Sequence, residues 1–343
     1  MKLSKYFIIF IFIVVFLIPY FSFSATYRVV SYNTLNFNFS SMPSLGHDRD
    51  RVLAFRDILD SIDADIVVVQ EMINSASATF FRDSVLNYTV SGEYSMAPFI
   101  DYPSDTDSAL YYKSNVTYIS YNYYYDPDNS PRYMMEYTLS VEEQEFKVYS
   151  IHLKASEGSD NETRRKLDAE LLRRTVLNEL SQNYHFFVCG DFNIYSSAEP
   201  AYLEFLADQS STPPGENNNG RSQDFIGTTW DHDDIPLTLY IYLTQSTRTD
   251  TLPDSGATGG LDDRFDLILC SYALTNSTAL EYISNSYTVY GNDGNHYNKA
   301  ITDFPVFDPP GPADANDLLN ASDHLPVYVE FENIPAVDDY LLY

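Results

Sequence analysis

Positive charge is scarce in this chain of 343 residues: 20 lysines and arginines stand against 49 aspartates and glutamates, a formal charge of −29. A broad basic face that holds phosphate backbones regardless of sequence is therefore excluded. Any phosphate chemistry here needs a bound cation to offset the acidity. Cysteine is nearly missing as well. Cys189 and Cys270 are the only two, too few for a disulfide scaffold or a four-cysteine zinc module. Both lie in apolar strand-like runs and read as buried free thiols. The sequence has no Gly-x-Gly-x-x-Gly, no Walker loop and no Gly-x-Ser-x-Gly elbow, which removes the common nucleotide-binding and serine-hydrolase signatures. No His-x-x-x-His or Glu-x-x-His pair points to zinc. What the chain has in quantity is apolar: 44% hydrophobic and 15% aromatic residues, enough for a substantial core and too much for a disordered chain.

Lys2 and Lys5 precede an apolar run over residues 6–23, and Ser22-Phe23-Ser24 sets small residues at −3 and −1 of a cut before Ala25. That layout is a secretory signal peptide; a retained anchor helix is the competing reading. Residues 1–24 are thus expected to be removed, leaving a secreted or periplasmic protein. The remainder alternates strands and helices without an internal repeat. Strands are expected at 27–31, 66–69, 109–113, 116–121, 133–140, 146–151, 185–189, 265–270 and 327–331, where β-branched and aromatic residues cluster. Val52, Phe55, Leu59 and Ile62 predict a helix over 48–62. Leu167, Leu171, Leu172, Val176 and Leu180 predict a longer one over 162–180, with those residues inward. The whole reads as one α/β domain over 25–331 with a short tail at 332–343.

Functional side chains gather where strands end. Asn33 follows the first strand, Glu71 the second and His152 the strand at 146–151; Asp191 and Asn193 follow 185–189, Asp266 opens a strand, and Asp323-His324 precede the last. Strand ends converge at a sheet edge, so groups far apart in sequence can meet. Glu71 and Asp323 with the amide oxygens of Asn33 and Asn193 make a hard-oxygen donor set suited to Mg²⁺ or Mn²⁺, with Ca²⁺ a further option. Two histidines fit phosphate hydrolysis: one near-neutral base takes a proton from water while the other steadies the phosphoryl oxygens. Asp266 is the carboxylate placed by pattern to orient one of them.

Six segments appear in a telling order: Ser31-Tyr32-Asn33-Thr34-Leu35-Asn36, Val69-Gln70-Glu71, Ser150-Ile151-His152-Leu153-Lys154, Gly190-Asp191-Phe192-Asn193, Arg264-Phe265-Asp266-Leu267-Ile268-Leu269 and Ser322-Asp323-His324-Leu325-Pro326. In this order they resemble the endonuclease/exonuclease/phosphatase superfamily over nearly the whole mature chain. The resemblance implies a deoxyribonuclease-I-like fold, a four-layered α/β sandwich of two packed sheets flanked by helices. It implies that Glu71, Asn33 and Asp323 serve the metal and that Asp191 and Asn193 position the attacking water and the phosphate. His324, paired with Asp266, would be the general base or the transition-state stabiliser, and His152 would contact the phosphate or act as acid. Arg132, in Ser130-Pro131-Arg132-Tyr133, resembles the phosphate-contacting arginine of nuclease members. The glutamate that partners the first histidine in relatives of the deoxyribonuclease type has no counterpart here beyond Asp105 or Asp107.

The expected activity is a secreted, metal-dependent phosphodiester hydrolase with nucleic acid as substrate, most simply an endonuclease. A phosphodiesterase or phosphatase acting on lipid headgroups is the alternative. Tyr121–Tyr125 could stack on bases or sugars, and Arg248 is a candidate second phosphate contact. No obligate protein partner is evident, and a monomer is expected.

Overall fold

The computed structural model describes residues 24–102, 106–207, 218–227, 229–276 and 279–334. Almost all of the expected signal peptide, and the chain beyond residue 334, lie outside them. β1 (Thr26–Phe37), α1 (His47–Ile62) and β2 (Ile66–Met72) form a strand–helix–strand unit, with β1 and β2 parallel. All four residues that predict α1 are buried, and the helix ends where Asp63 turns left-handed and returns its N–H to the Leu59 carbonyl. α2 (Ser75–Phe81) starts at Asn74, whose side chain accepts the Ser77 N–H. β3 (Tyr94–Met96), β4 (Asp107–Lys113), β5 (Thr117–Tyr124), β6 (Met134–Val141) and β7 (Gln144–His152) follow. α3 (Ser159–Glu170) then crosses to β8 (His185–Asp191), parallel to β7. α4 (Pro200–Leu206), β9 (Ser222–Gln223), β10 (Asp266–Ser271), β11 (Leu280–Tyr282), β12 (Thr288–Val289), α5 (Ala315–Ala321) and β13 (Val327–Asn333) complete the order.

The strands make two mixed sheets, β11-β13-β1-β2-β4-β3 with β12 on β13, and β5-β6-β7-β8-β10-β9. They pack face to face: the Phe331 ring lies 5.3 Å from both Phe146 and Phe187 of the other sheet, and Gln70 donates across the gap to Ser150 at 3.1 Å. Helices cover the outer faces. Buried Arg51 of α1 binds the carbonyls of Thr34 and Leu35 in β1 and of Ala321 in α5. Arg165 of α3 pairs with Glu199 at 2.8 Å just before α4. This is the expected four-layered α/β sandwich.

Two expectations need correcting. The long helical run reaches Glu179 as expected, but only Ser159–Glu170 is α-helix: Leu171–Val176 widen into π turns and Leu177–Glu179 tighten into a 3₁₀ turn; Leu172 and Val176 are buried, whereas Leu167 is 42% exposed rather than inward. The inner face of α3 is instead Arg165, Asp168 and Ala169, because it packs on ion pairs and a polar turn rather than on an apolar strip. The last strand also runs two residues past the expected end, with Asn333 bonded to Ala25.

Candidate active site

Backbone irregularity aims the first group of residues. β1 and β2 pair in register through Asn33 and Gln70, then slip, resuming at Phe37 and Met72. The bulge holds Leu35, Asn36 and Glu71 at positive φ (47°, 49° and 63°), a strained setting that reads as site geometry. On the second sheet three residues stand side by side. His152 is level with Asp191 across β7 and β8, and Asp191 is level with Asp266 across β8 and β10. Gly190, just before Asp191, has no room for a side chain: a Cβ there would lie 1.9 Å from the Ile151 carbonyl oxygen.

Asp191 is the hub. Its Oδ2 accepts from the Asn33 side chain at 3.0 Å and lies 3.4 Å from His152 Nε2 and 3.8 Å from His324 Nε2; its Oδ1 accepts the Asn193 N–H at 3.0 Å. Asn33 also donates to Glu71 Oε1 at 3.1 Å. The oxygen of Asn33 is taken by the Leu35 N–H at 3.0 Å, which fixes the amide with its NH₂ toward the carboxylates. Asn33 thus ties the two acids together through its NH₂. Asn193 likewise spends its side-chain NH₂ on the Leu153 carbonyl, at 3.3 Å.

His324 Nδ1 meets Asp266 Oδ2 at 2.7 Å in full burial. Burial by itself would strip the imidazole of its proton, but Asp266, Asp323 and Asp191 outweigh it and hold the pKa well above the usual histidine value. His152 goes the other way. Burial, then the charge of Arg132, lowers it well below the ordinary value, so it is neutral, and its Nδ1 has no hydrogen-bond partner among the described residues. Asp107 is buried and takes the Tyr102 N–H at 2.8 Å, and Asp105 lies outside the described residues. Burial likewise raises Glu71, and pushes Asp191 up to about 7.

Glu71, His152 and Asp191 each present a ligand atom, all within 4.8 Å of one another. A buried and a half-buried carboxylate whose ionisation desolvation opposes, with a neutral imidazole beside them, fit a divalent cation that keeps sites for water and phosphate. Calcium would want more oxygens than this set provides. Asp323 falls outside the trio. Its Oδ2 accepts from Ala257 N–H at 2.6 Å and Gln245 at 3.2 Å, so it anchors the loop at 247–260 and acts on Glu71 through charge alone.

Arg132 reaches the site electrostatically, since its charge bears on both His152 and Glu71. Arg248 does not serve as a phosphate contact: it is 1% exposed and paired with Asp254 at 2.6 Å. One residue escaped assignment from the sequence. The side-chain amide of Gln245 caps His324 Nε2 at 2.6 Å.

The sequence model of the Endonuclease/Exonuclease/phosphatase family matches residues 30–324. A sequence search of curated proteins finds no match. Among solved structures, the chain is similar to D. rerio TDP2 complexed with a single-stranded DNA product, at 15% identity and TM-score 0.56, covering 90% of this chain and 99% of that one. It is similar to the human Nocturnin catalytic domain with bound sulfate at 16% identity and TM-score 0.52, covering 90% and 97%. A mannosyl-6-phosphatase of Bacteroides thetaiotaomicron matches at 16% identity and TM-score 0.52, covering 89% and 99%. At such identities the likeness is one of fold.

Proposed function

Since the chain belongs to the endonuclease/exonuclease/phosphatase family, a family of metal-dependent phosphoesterases, we propose that it is an exported phosphodiester hydrolase acting on nucleic acid, most simply an endonuclease. The observation that supports this best is the setting of Asp191, between the metal-fitting trio with Glu71 and His152 and the charged Asp266–His324 pair. Mg²⁺ or Mn²⁺ held by Glu71 and Asp191, with His152 alongside, would neutralise charge on the bound phosphate. Asp191, committed to the cation, would position the attacking water together with Asn193, and His324 paired with Asp266 would take the proton of that water or steady the phosphoryl oxygens. Arg132 provides one guanidinium for the singly charged phosphate of a diester. Removal of residues 1–24 would place the domain, residues 25–331 extended to the end of β13, outside the cytoplasm as a monomer.

The lipid-headgroup reading draws on two exposed apolar side chains, Phe304 at 88% and Leu237 at 75%, of the kind that enters an interface. One assay separates the readings. The purified protein is given plasmid DNA, RNA, sphingomyelin vesicles and a sugar phosphate, with Mg²⁺, with Mn²⁺ and with EDTA. Nucleic-acid cleavage abolished by EDTA is expected. Turnover confined to vesicles or to the sugar phosphate would refute the nuclease reading. Export is tested by the N-terminus of the protein recovered outside the cell, expected at Ala25.

A further inference from the structure

Four tyrosines pack ring against ring at the edge of the second sheet. Tyr133 is at their centre, its ring 4.4 Å from Tyr123, 4.7 Å from Tyr102 and 5.1 Å from Tyr125. Tyr123 and Tyr125 remain 39% and 40% exposed. Packing of a core does not account for them, because β5 is an edge strand with little of it covered. Alternation along the strand puts Tyr121, Tyr123 and Tyr125 on one face.

The strand register ties this cluster to the reaction centre. Met135 pairs with Ser150 across β6 and β7, so two residues further on Tyr133 comes level with His152. Met134 pairs with Tyr124 across β6 and β5, so Tyr125 comes level with Tyr133. A row of His152, Tyr133 and Tyr125 thus runs outward across three strand ends, with Arg132 next to its middle member. In a chain of charge −29, a polyanion gains little from long-range attraction, and affinity has to come from uncharged contact. Aromatic faces provide that to any base not already stacked inside a duplex.

Resting on the nucleic-acid reading above, we propose that Tyr123, Tyr125 and Tyr133 form a stacking platform for an unpaired base beside the scissile phosphate. The preferred substrate is then single-stranded nucleic acid. The test uses the full domain with Mn²⁺ and three labelled substrates: an oligothymidylate, its duplex with the complementary strand, and the same backbone carrying abasic units. Wild type is expected to show a KM for the single strand about tenfold or more below that for the other two, the scale of one stacked base. The Tyr123→Ala/Tyr125→Ala variant should raise the single-strand KM to the abasic value with kcat little changed, while Tyr125→Trp keeps the wild-type value. Wild-type KM in the double variant, or an equal rise on the abasic backbone, overturns the platform while leaving a nuclease in place. Cleavage of none of the three by wild type, with vesicles or sugar phosphate turned over, overturns the nucleic-acid reading and the platform with it.

Discussion

Asp266 and His324 form a buried pair: Asp266 Oδ2 lies 2.7 Å from His324 Nδ1, and its charge is the largest influence holding the imidazole above the usual histidine value against burial. Replacing Asp266 with Asn leaves the shape but removes the counter-charge. We expect kcat on a phosphodiester to fall by roughly 10²–10⁴-fold, with circular dichroism unchanged. The pKa of His324 should drop with it, so the limb of the kcat–pH profile that reports His324 moves to lower pH; a profile of unchanged shape would exclude His324 from the groups whose titration governs the reaction. Asn33 makes a separate prediction. Its NH₂ bonds to Glu71 and Asp191 favour their ionised forms. Asn33→Leu should therefore raise the concentration of Mn²⁺ needed for half-maximal activity by about 10–100-fold, as lost support of ligands typically does, and saturating metal should restore much of the rate. An unaltered metal requirement would show that the amide is not needed to hold the acids ready.

The element that presents Arg132 is a turn, and the turn is tied to a helix. Asp168 of α3 accepts from Ser130 and, at 3.1 Å, from Asn129, clamping the segment just ahead of Arg132. Asp168→Ala should raise KM several-fold with a smaller effect on kcat and cost about 1–3 kcal/mol of stability; Asp168→Asn, which keeps an acceptor, should recover most of the KM. Equal losses of kcat and KM in both would mean that the turn does more than position the arginine. This clamp also shows what could be read from the sequence. Strands such as β8 and β10, and the face of α1, were legible because runs of apolar residues or a 3.6-residue spacing betray burial on their own. So were the strand ends bearing Glu71, His152, Asp191, Asp266 and His324. The polar inner face of α3 was not, since Arg165 and Asp168 look like solvent residues until Glu199 and Ser130 arrive from elsewhere in the fold. Nor was the orientation of Asn33, which depends on a bulge that no local residue pattern announces, or the meeting of Tyr133 with Tyr102 from the connection between β3 and β4.

Across the whole molecule the excess of acid should show itself in how stability responds to pH and metal. Burial raises Asp191 to about 7 and, with Asp262, Asp263 to about 7; His324 is raised too, by its carboxylates. The folded protein therefore holds protons near neutrality that the unfolded chain, with ordinary values, has released. Where the native state binds more protons, stability falls as pH rises. His152 and His185 act in the opposite sense, because burial lowers them, but their effect is confined to pH below the ordinary histidine value. The acids that are lowered, Asp224 and Asp254, matter only in stronger acid. Without divalent ions, then, the melting temperature should drop between about pH 6.5 and about pH 8.5, helped by the mutual repulsion of a chain at −29. Added Mn²⁺ should offset the drop, and more so at the higher pH, because the ion needs Glu71 and Asp191 deprotonated. Differential scanning fluorimetry of wild type and Glu71→Gln provides the check, with the variant expected to lose the metal-dependent rise. A melting temperature that climbs with pH in the apo protein, or a metal effect retained by Glu71→Gln, would contradict the assignment of these two carboxylates as the cation's holders.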